Sequence, residues 1–179
     1  RSRVFMELLK IMAERRSVRK YTGEHIPDDK LTTVLQAGML SASSKGLRPW
    51  EFIIVRDRDM LERMAGFRVG AADMLKDADA AIVVIGGHEN ADMWIEDCAI
   101  AMANMHLMAD SLGIGSCWIQ GRGRESAEGG SSEEYLRGLL GFPERFSLEA
   151  VLSLGMPNGH PAAHSLEELD MGKVHREKY

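Results

Sequence analysis

Four cations and a serine hydroxyl crowd into Arg15-Arg16-Ser17-Val18-Arg19-Lys20-Tyr21, directly after the amphipathic run Val4–Glu14. Arginine is planar and permanently charged, and it grips phosphate oxygens in pairs. In an extended segment the side chains alternate, Ser17 and Arg19 facing one way and Val18 and Lys20 the other. Arg15, Ser17 and Arg19 would then aim at a single anion. The same composition also suits a solvated basic patch at the negative end of a helix. A second stretch is Ser41-Ala42-Ser43-Ser44-Lys45-Gly46-Leu47-Arg48-Pro49-Trp50. It is small, polar and punctuated by glycine and proline, hence a loop. Such a loop either lets a ligand approach its backbone or is a plain connection. A third is Leu112–Gly121, where Gln120-Gly121 ends an apolar strand and allows close backbone approach. Within it Trp118 reads as a core aromatic and Cys117 as an inert buried thiol. Arg122 and Arg124, just beyond, either line a substrate mouth or belong to a solvated loop. His106 reads as a structural histidine, and no partner for it sits at metal-ligand spacing, so no metal site is expected.

These stretches need elements to hold them. Val4, Leu8, Ile11 and Met12 form one helical stripe over Val4–Glu14, with Phe5 and Leu9 beside it. Thr22–Pro27 is a turn, and Pro27 with Asp28 and Asp29 opens a helix to about Ser41. Glu51–Val55 is a buried strand. Asp57–Phe67 is a short helix, Arg68–Lys76 a second helical piece, and the gap around Gly66–Gly70 a candidate pocket edge. Ala80–Ile85 is continuously apolar, the pattern of a strand buried on both faces. Asp92–Leu112 is the longest helix, apolar over so wide a face that protein must surround it. Ile114–Ile119 is a strand, Ser131-x-x-Glu134 a capping box opening a helix to Leu140, and Leu148–Met156 the last core strand. Asn158–Asp170 is an extended arm poor in apolar residues, and Lys173–Tyr179 a charged tail.

The totals set limits. The chain has 179 residues, 45% hydrophobic and 27% charged, which suits one domain, 1–179, with 158–179 as a C-terminal arm. A net charge of −5 argues against general nucleic-acid binding. Two distant cysteines, Cys98 and Cys117, without a C-x-x-C, favour a reducing cytoplasm. No signal-like segment and no uncharged run of bilayer length is visible, so no membrane role is expected. The first residue is Arg1 rather than Met. No G-x-G-x-x-G follows a strand, which disfavours a Rossmann dinucleotide site. Convincing Ser-His-Asp or paired-carboxylate patterns are also lacking.

Taken in order, the motifs resemble a known family. R-R-S-V-R-K-Y, then a helix, then a serine loop ending in Pro49-Trp50 before an apolar strand, resembles the nitroreductase-like family of FMN-dependent NAD(P)H oxidoreductases. That family's loop commonly reads P-S-x-x-N-x-Q-P-W. This chain keeps Ser43, Pro49 and Trp50, with Ala42 for the Pro, Gly46 for the Asn and Arg48 for the Gln. Leu112–Gly121 is similar to the family's L-G-L-x-S-x-W-I-x-G, Leu139–Pro143 to L-L-G-x-P, Gly155-Met156-Pro157 to L-G-x-P, and Lys173–Tyr179 to the terminal K/R-V/I-H-x-E-K-[YFW]. The resemblance implies an α+β fold: a mixed, mostly antiparallel sheet flanked by helices, in an intertwined homodimer with FMN at the interface. It implies FMN phosphate held by Arg15, Ser17 and Lys173, with Arg176 a weaker candidate, and Arg16 and Arg19 on the phosphate or the ring's polar edge. Ala42, Ser43, Ser44, Gly46 and Arg48 would reach flavin bound mainly by the other subunit. Cys117, Trp118, Ile119, Gln120 and Gly121 would lie along the flavin, with backbone of Gln120 and Gly121 supporting N5. NADH or NADPH would be the transient donor, and a nitroaromatic, quinone or free flavin the small-molecule acceptor. Other flavin chemistry on the same scaffold (flavin or enone reductase, dehalogenase) and non-enzymatic FMN binding are the alternatives.

Overall fold

The computed structural model of the chain describes residues 2–179, and side chains from Glu7 onward. The Val4 and Phe5 side chains of the amphipathic stripe therefore lie outside the described residues. The elements run α1 (Ser2–Glu14), α2 (Asp28–Met39), β1 (Trp50–Val55), α3 (Arg58–Met64), β2 (Ala80–Gly87), α4 (Trp94–Ser111), β3 (Gly115–Gln120), α5 (Ser132–Leu140) and β4 (Phe146–Gly155). The four strands form one antiparallel sheet in the order β1-β2-β4-β3. A parallel bridge between Ser17 and Ser116 attaches the basic segment to the free side of β3. The α+β architecture is as expected, with this bridge as the parallel component beside an antiparallel sheet.

β2 and β4 are buried along nearly their whole length because helices cover both faces. Ile82, Val84, Leu152 and Leu154 pack with Met102 and Met105 of α4 and with Leu31 and Val34 of α2. Ala81, Val83, Ile85 and Val151 pack with Leu61 and Met64 of α3, Leu136 of α5 and Phe67. That two-sided burial explains the unbroken apolar run in β2.

Several boundaries moved. α2 stops at Met39, and α4 starts at Trp94 rather than Asp92. β4 starts at Phe146, two residues early, because Gly87 pairs with it. Arg68–Lys76 forms only a 3-10 turn, Asp73–Lys76, since Gly70 takes a left-handed φ of 68° that breaks regular winding. The arm is not featureless: it carries two more 3-10 turns, Leu166–Glu168 and Met171–Lys173. Serine and aspartate side chains cap them, a local polar ordering that a hydropathy pattern does not register.

Candidate active site on the β3 edge

The basic segment is extended, as alternation requires. Val18 turns inward and is buried, with its N–H donating to Ser116 O at 2.9 Å. Tyr21, three residues on, is also buried, so the strict alternation ends at exposed Lys20, and the Tyr21 hydroxyl meets Ser153 Oγ at 2.7 Å. Ser17 and Arg19 turn the other way, where both interact with the Cys117 thiol. Glycine makes this docking possible. A Cβ on Gly115 would come within 2.8 Å of Val18, and one on Gly155 within 2.4 Å of Tyr21.

Arg15 is positioned by a buried relay. One of its guanidinium nitrogens lies 3.0 Å from His106 Nε2, and His106 Nδ1 lies 2.6 Å from Ser116 Oγ. Arginine can only donate, so Nε2 accepts and the proton sits on Nδ1. Burial, reinforced by the Arg15 charge, pushes the imidazole down to about 4. The structural role expected of His106 is thereby given content: a neutral histidine that orients a cation. Arg16 behaves differently. It donates to Ala162 O and its N–H approaches Asp110 Oδ2 at 3.4 Å, so it holds the arm rather than facing the cleft. Asp110 also sits 2.6 Å from His160 Nε2, a hydrogen bond that raises the imidazole above its usual range.

Arg19, Cys117 and Trp118 line a cleft of about 560 Å³ together with Arg68, Gly70, Ala71, Asp73, Met74 and Asp77. The Gly66–Gly70 pocket edge foreseen from sequence is thus real at Arg68 and Gly70. A smaller hollow of about 240 Å³ lies between Ser17–Lys20 and Asn158–Pro161. Another, of about 370 Å³, joins Arg68 to Arg124. Burial raises the Cys117 thiol above its ordinary value, opposed by Arg19 and Ser17, so it is held neutral against the cleft wall. Trp118 is half-buried and packs against the core cluster on the α4 face, while Ile119 is fully buried.

The end of β3 decides which backbone groups are offered. Gly121 N–H donates to Glu149 O at 3.2 Å, and Arg122 N–H to the same oxygen at 3.0 Å. Antiparallel ladders alternate paired and unpaired positions, so Gly121, Ile119 and Cys117 point their amides into the sheet. Ser116, Trp118 and Gln120 point theirs off the free edge, which agrees with Ser116 O receiving Val18 N–H. Of the two amides expected to support a ligand, Gln120 offers its own and Gly121 does not. Arg68 reaches Gln120 O at 3.4 Å on the same edge.

The serine loop lies elsewhere. It precedes β1, the opposite outer strand, and in register its end faces Gly86 and Ser147 whereas Ser17 faces Ser116 and Leu154. Four strand spacings and seven residues of rise separate the loop's end at Trp50 from Ser17 by roughly 30 Å. Ala42 is exposed. Ser43 Oγ accepts Arg48 N–H at 2.9 Å, and buried Asp97 accepts Ser44 N–H at 2.9 Å. Those bonds hold Lys45 and Arg48 at φ of 55° and 48°, with Gly46 at 64°. Two non-glycine residues in that region are strained, a pattern that clusters at ligand sites. Lys173 and Arg176 are exposed and make no side-chain hydrogen bond or ion pair among the described residues. One copy of the chain therefore brings together Arg15, Ser17, Arg19, Cys117, Trp118 and Gln120, and leaves the serine loop and the tail apart from them.

Sequence reasoning missed Arg68 as a cleft cation and Glu149 as the acceptor at the β3 end. Glu149 had a visible signal: it is the one acid inside the apolar run Leu148–Leu154.

This geometry now meets known proteins. Residues 12–71 and 65–156 match the model of the Nitroreductase family. An Archaeoglobus fulgidus protein named "Putative NADH dehydrogenase/NAD(P)H nitroreductase" is 38% identical over 179 residues, covering 97% of this chain and 99% of its own. The structure of an FMN-dependent nitroreductase from Clostridium difficile R20291 superposes with a TM-score of 0.91 at 39% identity, over 96% of this chain and 99% of that one. An NADPH-flavin oxidoreductase of Vibrio harveyi is 27% identical over 160 residues, 82% of this chain and 64% of its own. The chain belongs to the nitroreductase family.

Proposed function

We propose that this chain is an FMN-dependent oxidoreductase that takes reducing equivalents from NADH or NADPH and passes them to an electron-poor small molecule such as a nitroaromatic, a quinone or a free flavin. The observation that carries the reading is the free β3 edge: an outward amide at Gln120 beside a cleft walled by Trp118 and flanked by Arg15, Ser17 and Arg19. A cleft of about 560 Å³ falls within the range of cofactor sites. The cations at one end suit a phosphate, and the apolar wall with an edge amide suits a ring system, so the residues fit FMN.

When bound, FMN supplies two-electron redox chemistry at N5. The chain supplies binding, orientation and charge. Arg15, fixed by neutral His106, and Ser17 hold the phosphate. Arg19 extends the cationic wall toward the ring's polar edge. The Gln120 N–H, which points off the free edge of β3, would be the donor for the flavin's N5 edge and would favour the negative charge of the reduced state. Arg68 places a cation at the open mouth.

The second half of the site comes from a second copy of the chain. Leu166, Leu169, Met171 and Val174 of the arm are more than half exposed with no core of their own, and Leu40 at the end of α2 is 86% exposed. These faces, together with Ser43, Ser44 and Arg48, complete the cofactor site across a homodimer, and the tail's Lys173 and Arg176 reach the phosphate there. Titration with FMN, followed by quenching of flavin fluorescence on gel-filtered protein, tests this. Saturation at one FMN per chain in a dimer is expected. A monomer that binds FMN with full stoichiometry would overturn the two-chain site.

A further inference from the structure

Glu149 lies in the middle of the sheet, and three observations about it are independent. First, it is the extra residue of a β-bulge. β2 pairs Val84 with Ala150 and Ile85 with Leu148, so Glu149 has no partner there. The side-chain pattern reverses across it: Ala150 packs on the α4 face and Leu148, two residues away, on the α3 and α5 face. Bulges re-aim side chains and recur beside active sites. Second, Glu149 is 2% exposed, and its Oε2 has no hydrogen-bond partner among the described residues. A buried acid with an unpaired oxygen is destabilising on its own account. Third, everything it does hold belongs to the β3 end. Its Oε1 lies 3.4 Å from Gln120 Nε2 and 3.7 Å from Arg122 Nε, and its backbone oxygen receives the Gly121 and Arg122 amides. Gln120 Oε1 in turn accepts the Trp118 indole N–H at 2.9 Å.

We infer that Glu149 is a positioning residue for the cleft edge: through the Gln120 side chain it fixes the strand end whose amide faces the ligand, and through Gln120 the ring of Trp118 as well. The inference rests on the functional reading of that edge. The groups facing Glu149 are Gln120 and Arg122 from the β3 end and Glu96 and Cys98 from α4. Burial raises its carboxyl above the ordinary value, opposed by Gln120 and Arg122, with Glu96 adding to the rise. A bulge, a buried acid and an unpaired oxygen are three local costs at one position, and natural chains keep such costs at functional sites.

Stability and function should therefore separate. In Glu149→Leu the costly carboxyl is gone, so the melting temperature stays equal to or above that of the wild type. Amide exchange over residues 118–122 of the FMN-free protein accelerates at least threefold, because Gln120 Nε2 then keeps only its 3.3 Å bond to Arg122 O within the same strand end and loses its tie to the neighbouring strand. In the FMN-loaded protein the rate of flavin reduction by nicotinamide falls about tenfold, with KM changed less than twofold. Glu149→Gln, whose amide oxygen still accepts from Gln120, recovers most of both effects. A Glu149→Leu protein that melts well below the wild type, with exchange and reduction rate unchanged, would make Glu149 a purely structural residue and overturn the inference. The exchange readout needs no FMN, so failure of the wild type to bind FMN would remove the functional reading alone.

Discussion

Arg15 donates to a histidine that must stay neutral to receive it. With the native His106 held near 4 against an ordinary 6.5, the unfolded chain binds its proton first as the pH falls. Stability is therefore full above the ordinary value and is lost as the pH drops from about 6.5 toward 4. Urea titrations at pH 7 and pH 5 should differ by about 2 kcal/mol from this group, and His106→Gln should remove that difference while weakening FMN binding by misplacing Arg15. The phosphate assignment has its own check. Arg15→Ala and Ser17→Ala should each stay folded by circular dichroism yet bind FMN roughly tenfold or more weakly, the cost of a lost charge-assisted hydrogen bond. Full retention of FMN by both variants would return Arg15–Arg19 to a solvated patch. Arg16→Ala should disturb the arm instead, since its side chain is committed to Ala162 O.

Among elements, the extended segment 15–21 matters because it turns a strand edge into a site. It is fastened where two glycines admit Val18 and Tyr21. Gly155→Ala puts a Cβ within 2.4 Å of the buried Tyr21 ring base, which has nowhere to move. A loss of about 1–3 kcal/mol is expected, together with weakened FMN binding, measured by thermal melting and flavin titration on one preparation. The opposed facing of Val18 against Ser17 and Arg19 was legible in the sequence because the period of an extended chain is fixed by geometry, whereas the burial of Tyr21 beside Val18, with Lys20 exposed, was not. Legible too were α1, α2, α4 and the strands, from apolar stripes or an unbroken apolar run, but not the failure of Arg68–Lys76 to wind as a helix. The bulge at Glu149 was not, because a bulge depends on what β2 does across the ladder. Nor was the division of labour between Gln120 and Gly121, which follows from the parity of the β3–β4 register. The bond from Arg16 to Ala162 O, 146 residues away along the chain, was not legible either, because no local pattern encodes it.

At the scale of the whole molecule, the proposed site is divided between the two outer edges of one sheet. Chain geometry explains why the motifs could be read in order while their assembly could not: the end of the serine loop and the basic segment sit roughly 30 Å apart in one copy. Removing residues 158–179 should leave the sheet and its helices folded but abolish both dimerisation and FMN binding, seen together in sedimentation and flavin absorbance. Persistence of FMN in that truncated chain would place the whole phosphate site on residues 15–19. The central claim is that flavin bound at the β3 edge is reduced by nicotinamide. It is tested most directly by the visible spectrum of the FMN-loaded protein under anaerobic conditions, before and after addition of NADH and then NADPH. The account predicts flavin bands that bleach with at least one donor and return when a quinone is added. Bands that persist through both donors, or a chain that stays colourless after incubation with FMN, would contradict it.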